Sequence, residues 1–121
     1  MNIQIFGKLK CLDTKKAERY FKERNIKFQF TDITKYGLSK GEYESVKSAV
    51  GCVKALINEK SKEYESQYMT HLASQDDAEE RLLKNPGMFK TPIVRNGKNA
   101  TVGYKPEIWI NWIKETTHKS I

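Results

Sequence analysis

The sequence predicts an α/β fold in which a four-stranded mixed sheet is flanked by helices. Three observations lead to it. Residues 2–6 alternate as a strand, a helical stripe covers 13–24, and a second alternating segment follows at 26–30. A strand–helix–strand crossover is right-handed and makes its two strands parallel. Towards the other end, Asn96-Gly97 sits between 92–95 and 100–102, the strongest short signal for a hairpin, which adds two antiparallel strands. The length of 121 residues, with 38% apolar and 31% charged residues, suits one domain with a real core.

In segment 2–6, Ile3 and Ile5 share a face. Gly7-Lys8-Leu9-Lys10 reads as a loop that delivers Cys11 to the start of a helix. That helix places Ala17, Tyr20, Phe21 and the aliphatic stem of Arg24 on one stripe, and Asn25 ends it. Ile26, Phe28 and Phe30 alternate with Lys27 and Gln29 as the second strand. A break is expected at Lys35-Tyr36-Gly37. Ser39 and Glu42 have capping-box spacing, Tyr43, Val46 and Val50 form the stripe of the helix they open, and Gly51 closes it. Residues 53–57 read as a short helical segment, and the stretch to Thr70 carries no clear pattern. A further helix is expected from Ser74 to about Lys84, where Asn85-Pro86-Gly87 breaks it. Pro106 opens the last helix, with Ile108, Trp109, Trp112 and Ile113 as its stripe.

Composition excludes several function classes. No apolar run is long enough to cross a bilayer, and residues 1–6 lack the basic start and apolar stretch of a secretion signal. The expected compartment is the cytoplasm, where thiols stay reduced. Two cysteines, Cys11 and Cys52, are too few for a disulfide scaffold or a four-ligand zinc site, and they form no Cys-x-x-Cys pair. No metal is expected. The net charge of +7 attracts anions, but the lysines are spread along the chain with acidic residues between them. The concentrated basic stripe with interleaved aromatics that nucleic-acid binding requires is not found. His71 and His118 lie in polar segments and read as surface residues.

Cys11 is the candidate reactive group. At a helix N-terminus, unpaired backbone N–H groups and the helix dipole favour negative charge, and Lys8, Lys10, Lys15 and Lys16 add positive charge nearby. Both stabilise the thiolate, the nucleophilic form. Inert buried cysteines usually sit within apolar patterns, whereas Cys11 sits in a lysine-rich loop. Thr91-Pro92, at the head of the hairpin, is the second candidate. A cis bond there would turn the Thr91 backbone towards a neighbouring strand end, although a trans proline at a strand start gives the same spacing. Cys52, after Gly51 at a helix end, reads as a small half-buried residue, with a resolving thiol for Cys11 as the alternative.

The motifs resemble those of the ArsC family, the glutaredoxin-coupled arsenate reductases and the related Spx regulators. They run in the family's order: 5–11, 21–28, Leu38-Ser39-Lys40-Gly41-Glu42, Ala55-Leu56-Ile57-Asn58, 85–90, Thr91-Pro92-Ile93-Val94 and 102–107. The resemblance implies a thioredoxin-like fold over 1–121 with a helical insertion at about 38–86. It also implies nucleophilic Cys11, a cis-proline at Pro92, and Thr91 facing the substrate thiol as in glutaredoxins. The family's arsenate reductases share three arginines around the oxyanion. The corresponding places hold Asn58, Glu59 and Lys60, then Thr91, then Lys105. Lysine lacks the planar fork that binds oxyanions bidentately, so arsenate is a poor expectation. Thr14 stands where the Spx regulators and dithiol proteins have a second cysteine.

The reading is therefore a thiol oxidoreductase with Cys11 as its catalytic residue. Lys8, Lys10, Thr14, Lys60, Thr91, Pro92 and Lys105 are its candidate substrate- or thiol-binding residues. It holds no bound cofactor, uses glutathione or another thiol as electron donor, and takes a small thiol or oxyanion, with a glutaredoxin or thioredoxin as a partner. The alternative is an Spx-like regulator that binds RNA polymerase without turnover.

Overall fold

The computed structural model of the chain describes residues 1–62, 64 and 75–119. The strands are β1 (Ile3–Gly7), β2 (Phe28–Asp32), β3 (Ile93–Asn96) and β4 (Asn99–Val102). The helices are α1 (Leu12–Glu23), α2 (Ile33–Tyr36), α3 (Lys40–Val50), α4 (Gln75–Lys84) and α5 (Pro106–Lys119), with 3-10 turns at Val53–Leu56 and Pro86–Met88. The sheet order is β2-β1-β3-β4. β1 is parallel to β2 and antiparallel to β3, and β3 is antiparallel to β4. This is the thioredoxin-like arrangement. Among the described residues no helix is long and apolar enough to cross a membrane.

Side chains alternate across β1, so each face of the sheet has its own core. Ile3 and Ile5 pack with Ala17, Tyr20, Phe21, Val94, Trp109 and Trp112 between the sheet, α1 and α5. Phe6 points the other way, into a cluster with Ile33, Tyr43, Val46, Leu56, Leu82, Met88 and Phe89. The aromatic rings of the first core meet edge-on, with Tyr20 5.3 Å from Trp109 and 5.2 Å from Phe21. The Trp109 indole N–H is buried and donates to Thr101 Oγ1 at 2.8 Å, joining α5 to β4.

Several boundaries differ from the sequence expectation, each for a tertiary reason. Ile26 does not begin β2. Its N–H donates to Phe21 O at 2.9 Å and that of Asn25 to Lys22 O at 3.1 Å, with Asn25 at φ 57°, so both residues close α1. β2 instead runs to Asp32, whose carboxylate accepts from Thr34 N at 3.0 Å and from Thr34 Oγ1 at 2.6 Å. That cap starts α2 where a break was expected, and fully buried Ile33 anchors it. The hairpin tip is Gly97-Lys98, because pairing with Ile3 draws Asn96 into β3 opposite Asn99. Residues 53–56 form a 3-10 turn, and Ile57 leaves it to bridge Phe89. Ile108 is 38% exposed and falls outside the core stripe of α5, whereas Trp109 is fully buried.

The local signals elsewhere agree with the sequence. Ser39 Oγ accepts from Glu42 N at 3.1 Å and Glu42 Oε1 from Ser39 N at 3.0 Å, a complete capping box for α3. Gly51 ends α3 at φ 97°. The expected starting residue of the next helix, Ser74, and His71 lie outside the described residues, as does the side chain of His118.

Replacing Thr101 by Val removes the acceptor of a buried indole N–H at nearly constant volume. Thr101→Val is expected to cost about 1–3 kcal/mol of unfolding free energy, read as a lower urea midpoint at unchanged slope.

Candidate functional site: the Cys11 thiol

Cys11 is the N-cap of α1, at φ −82° and ψ 119°. Its N–H donates to Lys8 O at 3.1 Å, closing the turn out of β1, and its carbonyl accepts the first helical bond from Lys15 N at 3.2 Å. What brings α1 so near the strand end is the absence of a side chain at Gly7. A Cβ there would lie 2.4 Å from Thr14 Cγ2 and 2.7 Å from Thr14 Oγ1. Thr14 fills that space and is fully buried. The turn between Gly7 and Thr14 is thereby fixed, with Cys11 half-buried at its edge.

The Cys11 thiol donates to the carbonyl of Thr91 at 3.6 Å, within hydrogen-bond range for sulfur. The Thr91–Pro92 bond is cis, the form the resemblance implies. Pro92 is buried and its carbonyl accepts from Gly103 N at 2.8 Å, which brings the loop before α5 towards the same end of the sheet. Two stretches far apart in sequence therefore meet at the sulfur atom.

Burial alone would raise the thiol's pKa. It is outweighed by hydrogen bonds to the thiolate from the side chains of Thr14 and Thr91 and from the backbone N–H groups of Thr14 and Asp13, so the pKa lies below its ordinary value. When the thiol is protonated its hydrogen goes to Thr91 O, and the buried Thr14 hydroxyl has no partner. That hydroxyl is among the donors that favour the thiolate. Thr14 thus acts from beneath the sulfur rather than from the open face.

The lysines are placed differently from the sequence expectation. The groups that lower the thiol's pKa are hydrogen-bond donors, not ammonium groups. Lys8 Nζ donates to Gly87 O at 2.7 Å and ties the thiol loop to the 3-10 turn at Pro86–Met88. Lys10, Lys15 and Lys16 are exposed, and Lys16 Nζ lies 5.9 Å from the ring centre of Tyr104. Lys105 is exposed at the entry to α5, where its carbonyl accepts from Trp109 N at 3.2 Å. Lys60 and Cys52 line a separate cleft with Lys90. Sequence reasoning missed Gly7, and it missed Leu9 and Leu12, which flank the thiol and are 65% and 73% exposed. The signal for Gly7 was a glycine ending a strand one turn before a helix. Nothing in the sequence separates Leu9 and Leu12 from core leucines. Among the described residues no group of three His, Cys, Asp or Glu side chains could hold a metal ion.

The model of the ArsC family matches residues 6–111. No curated protein matches the chain. Similar solved structures include an arsenate reductase from Vibrio cholerae, 21% identical with a TM-score of 0.81, which covers 92% of this chain and 97% of that one. An ArsC family related protein from Bacteroides fragilis is 22% identical with a TM-score of 0.79, covering 92% of this chain and 98% of its own. An arsenate reductase related protein from Brucella melitensis is 24% identical with a TM-score of 0.67, covering 94% and 96%.

The alkylation rate of Cys11 by iodoacetamide is expected to rise with pH around a midpoint below the unperturbed value of about 8.5. Measured in a Cys52→Ser background, Thr14→Val should move that midpoint upward by removing one donor to the thiolate. A midpoint that stays put would mean that the hydroxyl does not reach the sulfur.

Gly7→Ala places a methyl group against Thr14 and forces α1 away from β1. The expected cost is about 1–3 kcal/mol, together with slower alkylation of Cys11 at neutral pH. Pairing it with Thr14→Ala, which clears the space, should recover much of the lost stability in a double-mutant cycle.

Proposed function

The chain belongs to the ArsC family, and from that premise we propose that it is a thiol–disulfide oxidoreductase working through the single thiolate of Cys11. The observation that carries this reading is the Cys11 thiol at the N-terminus of α1, 3.6 Å from the carbonyl of Thr91. Cys11 thiolate attacks one sulfur of a disulfide, forming a new S–S bond as the old one breaks, and the released sulfur leaves as a thiolate that takes a proton from water. A second thiol, of which glutathione is the natural example, attacks the resulting mixed disulfide as its thiolate. That step forms the product disulfide and returns Cys11 as thiolate, so the electron pair comes from the donor thiols. A glutaredoxin or thioredoxin could supply the same thiol chemistry. The reducing cytoplasm is the compartment in which such a cycle is sustained.

The surroundings of the sulfur support a sulfur substrate over a bare oxyanion. Exposed Leu9 and Leu12 flank Cys11 along the chain. An apolar rim suits the methylene arms of a disulfide. An arsenate ion would want forked charged donors, and Thr91 and Lys105 supply none. With Thr14 in the place of a second local cysteine, the mixed disulfide has to be resolved from outside or by a distant thiol.

Turnover of bis(2-hydroxyethyl) disulfide with glutathione should be readily measured and should fall to background in Cys11→Ser. Glutathione-dependent arsenate reduction should be much the weaker activity, since each missing charge-assisted contact is worth roughly 1.5–3 kcal/mol. Thr91→Arg should raise arsenate turnover relative to disulfide turnover. Strong arsenate reduction by the unaltered protein, or disulfide turnover that survives Cys11→Ser, would count against the reading.

A further inference from the structure

The sulfur of Cys11 meets both a hydrogen-bond acceptor and a set of donors. Thr91 O accepts the thiol hydrogen at 3.6 Å. The backbone on either side of that carbonyl is held, since Lys90 N donates to Leu56 O at 2.8 Å and Pro92 O accepts from Gly103 N at 2.8 Å. On the helix side, the Thr14 hydroxyl is fully buried and has no hydrogen-bond partner. It points to the sulfur, where it acts as a donor together with the N–H groups of Asp13 and Thr14. A buried hydroxyl is costly to leave unpaired, and its place beside a reactive sulfur calls for a chemical reason.

A sulfur that carries an oxygen uses all of these groups. In a sulfenic acid, S–O–H, the oxygen accepts hydrogen bonds and the hydrogen is donated. Thr14 Oγ1 and the first N–H groups of α1 supply the donors, and Thr91 O is placed to take the hydrogen as it takes that of the thiol. A sulfenic acid beside a second cysteine condenses with it to a disulfide. Position 14 holds threonine instead, and Cys52, the chain's other cysteine, lines a separate cleft with Lys60 and Lys90.

We infer that Cys11 also reduces hydrogen peroxide, with Thr14 and Thr91 holding the sulfenic acid formed on its sulfur. The thiolate attacks one peroxide oxygen, so that an S–O bond forms as the O–O bond breaks. The second oxygen leaves as hydroxide and takes a proton to become water. The sulfur gives up two electrons and the peroxide gains them. A donor thiol, as its thiolate, then attacks the sulfenic sulfur. An S–S bond forms, the S–O bond breaks, and the departing hydroxide is protonated to water. A second donor thiol releases Cys11 as thiolate, so one peroxide and two thiols become two waters and one disulfide. The inference rests on the Cys11 thiolate of the proposed function and adds an oxidant that enters the cycle before the mixed disulfide.

The test compares two electrophiles on protein carrying Cys52→Ser. Rate constants for hydrogen peroxide and iodoacetamide are measured for the folded chain and for the chain unfolded in urea, each at a pH above its own thiol midpoint. Hydroxide leaving from peroxide is stabilised by hydrogen-bond donors, and iodide leaving from iodoacetamide depends on them little. Folding should therefore favour peroxide over iodoacetamide by about tenfold or more, the scale of one hydrogen bond. Thr14→Val should remove most of that preference, with Thr14→Ala in its place where the valine variant does not fold. Thr14→Ser keeps the hydroxyl and should retain the preference. Dimedone should trap the sulfenic acid on Cys11, read by mass. In a glutathione-coupled assay, peroxide consumption should fall to background in Cys11→Ser.

A folded chain that shows no preference for peroxide overturns the inference. So does a preference that survives loss of the Thr14 hydroxyl, since exclusion of the larger reagent would then account for it. Either result leaves the Cys11 reading standing where bis(2-hydroxyethyl) disulfide is still turned over. Peroxide reduction without turnover of that disulfide removes the disulfide reading and supports this one.

Discussion

The fit of Thr14 against the bare backbone of Gly7 is the constraint on which the rest of the site depends. β1 carries no side chain at its last residue, so α1 can pack its first turn directly on the strand end. The short turn between them has no slack, and Cys11 is held at the helix N-terminus. Backbone N–H groups and the Thr14 hydroxyl are then aimed at the sulfur. A buried hydroxyl with no partner costs free energy in the thiol form. The same hydroxyl favours the thiolate, so packing and acidity are coupled through one residue.

The two cores secure this arrangement from opposite sides. Trp109 and Phe21 press α1 and α5 onto one face of the sheet, while Phe6 and Ile93 bind the other face to the cluster containing Tyr43, Leu56 and Phe89. Thr91 lies between these bodies. It follows the paired segment at 88–90 and precedes β3, so its carbonyl is positioned by backbone fixed at both ends. Lys8 closes the frame by donating to Gly87 O. Lys8 is half-buried and ties the thiol loop to the turn at 86–88.

Charge acts at a distance from the sulfur. The net charge of +7 is spread over the surface, and the thiol itself is governed by short-range hydrogen bonds. Such bonds act only within contact distance and are little affected by salt, whereas exposed ammonium groups are screened within about 10 Å at moderate ionic strength. Neutral hydrogen-bond donors therefore lower the thiol's pKa.

The sequence by itself determined the elements and their order, because the signals for them are local. Alternation in 2–6, the stripe of Ala17, Tyr20 and Phe21, the Ser39–Glu42 capping box and the Asn96-Gly97 turn each involve residues within a few positions of one another. Cys11 was legible for the same reason, since a cysteine between a strand and a helix lies at a helix N-terminus. Thr91-Pro92 was a candidate from its place at the head of the hairpin, and resemblance to a family implied its cis bond. Tertiary structure alone decided what surrounds the thiol. The contacts of Gly7 with Thr14, Lys8 with Gly87, Cys11 with Thr91 and Lys90 with Leu56 arise when β3 inserts beside β1 and the segment at 88–90 pairs with that at 56–58. Except for the first, these partners lie far apart along the chain. No local periodicity encodes which lysine will meet a carbonyl and which will face an open cleft.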